Sequence, residues 1–258
     1  MSAMFACTAL VGTSKVGKLT ADSNGYYTVV LGALNFHNAS GAFYELEGAK
    51  KLFEDSSDFM RRVTRGNLRG EYGHPKFLPG MTKRDFFMRV CQVYEENVSH
   101  HISKVWLEEG VVKDRNGNGV VAIMGLVKPS GPKGQYLAEQ LENTQENVCF
   151  SIRSLTNDMT VNGKLIKVLK EIMTWDYVDE PGLHVAEKYS SPSLESFCDM
   201  RITRETALAA RDYMESLSSN GVSMESSRAI VDNIIQKMDW ERSNVSGLVL
   251  PPSARWGQ

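Results

Sequence analysis

Apolar residues recur along this chain with two different periods. At 4–11 and 26–34 they run almost continuously and are β-branched, aromatic or small, which predicts two strands near the N-terminus. Over 49–65 the spacing becomes helical. Leu52, Phe53, Phe59, Met60 and Val63 form a stripe that Asp55-Ser56-Ser57-Asp58 divides into two short pieces. Gly66 and Gly70 then bracket a loop that carries His74. Strand character returns at 98–107 and 120–127, on either side of Asp114-Arg115-Asn116-Gly117-Asn118-Gly119, whose Asn-Gly pairs favour positive φ and predict a hairpin. A short helix is expected over 135–144, then a strand through Ser151 and a further strand ending near Val178.

The stretch Asn147-Val148-Cys149-Phe150-Ser151-Ile152-Arg153 alternates. Val148, Phe150 and Ile152 fall on one face, and Cys149, Ser151 and Arg153 on the other. The first face can enter a core while the second turns Ser151 toward a cleft. A polar stretch at 189–193 marks a boundary. Beyond it, one helix is predicted over about 204–217, stopping at Asn220-Gly221, and a second from Ser223 that buries Ile230, Val231, Ile234, Ile235 and Met238. Two regions follow: a β-rich domain over 1–188 with peripheral helices, and a linker with a C-terminal helical segment over 189–258, its end at 251–258 expected to be mobile.

Composition excludes some functions. A chain of 258 residues, 42% of them hydrophobic, can bury a substantial core. With 29 basic and 31 acidic residues the formal net charge is −2, which gives no electrostatic footprint for nucleic acid or a membrane surface. Cys7, Cys91, Cys149 and Cys198 lack CxxC spacing and no signal-peptide pattern opens the chain, so a reducing cytoplasm is expected. No apolar run approaches the roughly 20 residues of a bilayer span, and a soluble protein is expected.

Three motifs fail on their chemistry. Gly12-Thr13-Ser14-Lys15-Val16-Gly17-Lys18 nearly completes a P-loop, but Leu19 offers no hydroxyl for magnesium. Asp114, Asn116 and Asn118 imitate a calcium loop, yet Gly125 stands where a bidentate Glu is required. His100 and His101 are adjacent, so on a strand they point to opposite faces and cannot share a metal; one is expected in the core and the other exposed. No cofactor or metal site is expected.

What remains is a serine, a cysteine and a histidine. Ser151 fits either a structural strand serine or a nucleophile. Cys149 lies on the same face and fits either a packed thiol or an alternative nucleophile. His74 lies between Gly73, which restricts the backbone little, and Pro75, which biases it toward an extended conformation; a loop histidine and a fixed base both fit.

The series Asn38-Ala39-Ser40-Gly41-Ala42-Phe43-Tyr44, then Gly70-Glu71-Tyr72-Gly73-His74-Pro75, then Ser151-Ile152-Arg153, then Trp175-Asp176-Tyr177-Val178-Asp179-Glu180-Pro181-Gly182 resembles the T4-type prohead core proteases of tailed bacteriophages, in order and over about 35–182. Ser154 follows Arg153 where that family usually has glycine. The resemblance implies an α+β fold: a β-rich, barrel-like serine protease core of the herpesvirus-assemblin type. It implies His74 as base, Ser151 as nucleophile and a downstream acid, for which Asp176 is the candidate and Glu71 and Asp179 the reserves. It further implies head maturation inside the prohead in the host bacterial cytoplasm, with capsid, scaffold and internal head proteins as substrates, and leaves a homo-oligomer open. Cleavage would follow Glu in small-x-Glu sequences, including the chain's own Ser193-Leu194-Glu195 and Ser223-Met224-Glu225. A non-catalytic scaffold on the same fold, and a generic α+β binding module, are the rival readings.

Overall fold

A computed structural model describes residues 3–9, 19–37, 41–113, 119–143, 145–178, 200–219 and 224–238. Two sheets carry the fold. The first has the order β10-β1-β8-β9-β4-β3, built from β1 (Ala3–Ala9), β3 (Phe36–His37), β4 (Phe43–Tyr44), β8 (Cys149–Val161), β9 (Lys164–Val178) and β10 (Met200–Ile202). The second has the order β2-β7-β6-β5, from β2 (Tyr27–Leu34), β5 (Arg69–Glu71), β6 (Val98–Lys113) and β7 (Gly119–Pro129). Five helices accompany them among the described residues: α1 (Asp58–Thr64), α2 (Lys83–Cys91), α3 (Gly134–Glu142), α4 (Arg204–Ser219) and α5 (Glu225–Lys237).

The class is α+β and strand-rich, as the sequence implies, but the expected barrel does not form. Each sheet is open, the first ending at β10 and β3 and the second at β2 and β5. Alternation along a strand says which face is buried and is silent on whether sheet edges meet.

The main core lies between the sheets. Val29, Leu31, Ile102, Val105, Ile123 and Val127 from the second sheet meet Phe150, Ile152, Leu169, Trp175 and Tyr177 from the first, closed by Phe59 and Val63 of α1 and Leu137 and Leu141 of α3. A second core covers the opposite face of β8 and β9. There Leu155 and Met173 pack under Phe86, Phe87 and Val90 of α2, Ala207, Ala210 and Met214 of α4, and Val231 and Ile234 of α5. Strand β10 pairs with β1, which pairs in turn with β8. The C-terminal segment thus adds a strand to the first sheet and two helices to its outer layer.

Two features let β9 serve both layers. Its register against β8 shifts between Arg153 and Ser154, leaving Met173 as an extra residue, and Arg62 of α1 donates to the freed carbonyls of Ile172 and, at 2.9 Å, Met173. Asn162 and Gly163 take positive φ (51° and 76°) to join β8 to β9 tightly, the chemistry of an Asn-Gly hairpin turn. Among the described residues no helix is long and apolar enough to cross a membrane.

Candidate functional site

Glycine at position 70 brings β5 against β9. A Cβ there would stand 2.0 Å from the Trp175 carbonyl oxygen and 2.3 Å from the His100 ring, so no other residue permits this approach. The chain then continues along β9. Tyr72 bridges Tyr177 in parallel fashion, and the Gly73 amide donates to the Tyr177 carbonyl at 2.8 Å. Gly73 itself has φ +77°, which turns the backbone and presents His74 over the end of β9.

At that end Asp176 is wholly buried, yet its carboxylate is saturated. Oδ2 accepts from His74 Nδ1 at 3.0 Å and from Arg153 Nε at 2.9 Å; Oδ1 accepts from Arg153 at 2.6 Å and from the Glu71 backbone amide at 3.1 Å. Burial alone would raise the pKa of Asp176. The Arg153 charge, then the hydrogen bonds from His74 and Arg153, outweigh it and hold the group well below the usual carboxylate range. An ionised carboxylate only accepts, so the bonded His74 Nδ1 carries hydrogen, and in the neutral ring Nε2 is the basic nitrogen. His74 is about one-quarter exposed, so this nitrogen belongs to a group that solvent and a ligand can approach.

Ser151 stands directly opposite Asp176 in the antiparallel β8–β9 ladder, which puts both side chains on one face. That face is the predicted one: Phe150 and Ile152 enter the main core while Cys149 forms a separate small cluster with Val178. The expected cleft is absent, however. Ser151 is fully buried and, among the described residues, its Oγ has no hydrogen-bond partner. Thus the structure brings His74 and Asp176 into contact and sets Ser151 beside Asp176, without a hydrogen bond from Ser151 to His74. Of the two reserve acids, Glu71 faces Arg153 and Arg89 rather than His74, and Asp179 lies outside the described residues.

Arg153 is the residue that reading for triads missed. The alternation placed it on the face of Ser151, and a buried arginine needs a carboxylate; that pairing rule was the available signal. The histidine pair behaves as expected. His100 is buried, bonded at Nδ1 to the Ser99 hydroxyl at 2.9 Å, and desolvation pushes its pKa down to about 4. His101 is partly exposed between the Tyr26 hydroxyl and the Gly66 carbonyl, each at 2.9 Å. Cys149 is buried and forms no disulfide. Glu225 is the first residue of α5, and Glu195 lies outside the described residues. Among the described residues no cluster of His, Cys, Asp and Glu could hold a metal ion.

Comparison with known proteins identifies relatives at the level of family, sequence and structure. The model of the peptidase S80 family matches residues 5–238. A capsid maturation protease of Pseudomonas phage phiKZ is 34% identical over 242 residues, covering 92% of this chain and 88% of that protein. The solved structure of the bacteriophage T4 capsid assembly protease aligns with 69% of this chain and 99% of its own, at 13% identity and a TM-score of 0.48.

Proposed function

This chain belongs to the peptidase S80 family, and from that premise we propose that it is a serine endopeptidase of phage head maturation, with Ser151, His74 and Asp176 as its triad. The observation that carries the assignment is the His74 Nδ1 to Asp176 Oδ2 bond at 3.0 Å, with Ser151 across the ladder from the same aspartate. In the reaction His74 Nε2 takes the Ser151 proton as Oγ attacks the peptide carbonyl. His74 then gives that proton to the leaving amine, and water releases the acyl-enzyme by the same route. Asp176 keeps the imidazole in the tautomer that makes this work. Catalytic hydrogen bonds are often long before substrate binds and tighten in the complex; here attack also requires a local opening over Ser151.

The substrates in this reading are capsid, scaffold and internal head proteins inside the prohead, cut after Glu in small-x-Glu sequences. The core is taken as kin to the herpesvirus assemblins, as the motifs imply. Self-cleavage is proposed after Glu195 first, because an extended linker enters an active site without unfolding, and after Glu225 second, because that residue is the start of α5. A cut at Glu195 leaves β10, α4 and α5 held without a covalent link to the rest, by the β10–β1 ladder, the packing of the helices and the contacts of Lys237 and Asn233 to Glu171.

The buried, unpartnered Ser151 hydroxyl favours one rival, a non-catalytic scaffold on the same fold. Incubating purified chain with candidate head proteins and mass-mapping the new termini separates the two. A protease yields new ends after Glu, and Ser151→Ala removes them while the protein stays folded, at a loss of about four to six orders of magnitude in rate. A scaffold yields none and assembles unchanged with Ser151→Ala.

A further inference from the structure

The buried charges around Asp176 form a larger device than a triad needs. Arginine has five N–H donors, and those of Arg153 are turned to the protein: Nε donates to Asp176 Oδ2 at 2.9 Å, Nη2 donates to Asp176 Oδ1 at 2.6 Å and forms an ion pair with Glu71 Oε1 at 3.2 Å, and Nη1 donates to Gln92 O at 2.6 Å and Val90 O at 3.4 Å. Its side chain is fully buried. A guanidinium so committed has no donor left for a substrate oxygen, which removes it as a stabiliser of the oxyanion. Glu71 in turn is held by Arg89 of α2, through Nη1 at 2.9 Å and through Nη2, and by the Tyr94 amide at 2.9 Å. The chain of contacts runs from α2 through Arg89, Glu71 and Arg153 to Asp176 and His74.

We infer that Arg153 is the positioning residue of this site: its planar fork fixes the Asp176 carboxylate in the one orientation that accepts from His74 Nδ1, and Glu71, braced by Arg89, fixes the fork. This rests on the triad reading of the preceding section. The charges balance, two arginines against Glu71 and Asp176, so the cluster can be buried at low net charge. A lysine there would keep the charge and lose the two parallel bonds, since an ammonium is a point donor without a fork. The groups facing Asp176 are His74 from the loop after β5, Arg153 from β8, the Glu71 amide from β5 and, by longer-range charge, His100 from β6.

The test uses the full chain with Arg153→Lys and with the charge-balanced pair Arg153→Met/Glu71→Gln, the second covering the case in which the first does not fold. Arg153→Lys is expected to lower kcat about a hundredfold with KM little changed, the scale of a roughly 1 Å misplacement of a catalytic group, and to leave the acid limb of the pH–kcat/KM profile in place. The double variant, which removes one cation and one anion together, is expected to lose kcat similarly, again with KM little changed. In the Ser151→Ala background, the downfield His74 Nδ1–H proton resonance should shift or broaden on either change at position 153. That signal needs no proteolysis, so it reads the clamp even if Ser151→Ala turns out to cleave normally and the triad reading fails. Folded Arg153→Lys or double variant with wild-type kcat, or an unchanged Nδ1–H resonance, overturns the inference.

Discussion

Strand β9 buries two carboxylates, and their surroundings drive them in opposite directions. Asp176 sits in a fork: Arg153 meets both oxygens, His74 and the Glu71 amide complete the shell, and its pKa falls although burial alone would raise it. Glu171 is nearly as buried but loosely met, by Arg62 at 3.5 Å, Lys237 at 3.6 Å and Asn233 at 3.1 Å, and desolvation wins, raising its pKa. Burial is common to the two, so it does not decide the protonation state. The number and direction of close donors does. Asp176 is therefore a fixed anion suited to orienting a histidine, whereas Glu171 ties α5 to β9 and α1 with a weaker hold on its charge.

The largest expected break in this contrast is at His74. His74→Ala should cost about as much as Ser151→Ala, on the order of four to six decades in cleavage rate, and the double variant should be little worse than either, since groups acting in one step are strongly non-additive. Steady-state rates on a mapped head-protein site check this; losses that multiply would argue against a shared step. Next is Asp176→Asn, expected to lower kcat about ten-thousandfold by stranding the wrong imidazole tautomer. It should cost about 3 kcal/mol of stability, the low end for breaking a buried pair, because Arg153 keeps Glu71. Denaturant unfolding with single-turnover kinetics separates the two effects.

Gly70→Ala attacks the geometry that brings the halves of the site together. Its Cβ would collide with backbone at Trp175 and with the buried His100 ring, so a loss on the order of 3 kcal/mol and a displaced His74 are expected. The smallest effect belongs to Glu171→Gln, within about 1 kcal/mol at neutral pH. Its signature is the pH slope. The raised folded pKa of Glu171 penalises its charged form in the fold, so its contribution improves as pH falls through that value. The depressed pKa of Asp176 contributes stability above the ordinary carboxylate value of about 3.9, lost as pH falls below it. Stability measured against pH in the two variants should therefore change slope in opposite senses; equal slopes would remove the contrast.

Sequence made the long elements legible because each has a repeating pattern. The β6–β7 hairpin, α3, α4 and α5 lie close to where periodicity and turn residues put them, and Ser57 caps α1 where a polar break was read. The faces of β8 were legible as well, with Phe150 and Ile152 inward. Short elements were not. The three residues of β5 and two each of β3 and β4 are too brief to show a period, and β5 exists because Gly70 admits two neighbouring strands. Helix α2 passed unread although Thr82 and Asp85 form a capping box ahead of Phe86 and Phe87. Alternation puts Ser151 on the face away from the main core but does not report what lies over that face, so its full burial needed the fold. His74 and Asp176 came from the family motifs, since nothing in spacing links residues so far apart in the chain. Arg153 needed the fold, because its partners come from three separate segments: β9, β5 and the end of α2.

The most direct test of the central claim is covalent. Treating the folded chain with a fluorophosphonate under conditions in which it cuts head proteins, then mapping the adduct by peptide mass, should place it on Ser151, with His74→Ala abolishing the labelling and Cys149→Ala leaving it intact. An adduct on another residue, no adduct while cleavage continues, or labelling of Ser151 undiminished by His74→Ala would contradict the account.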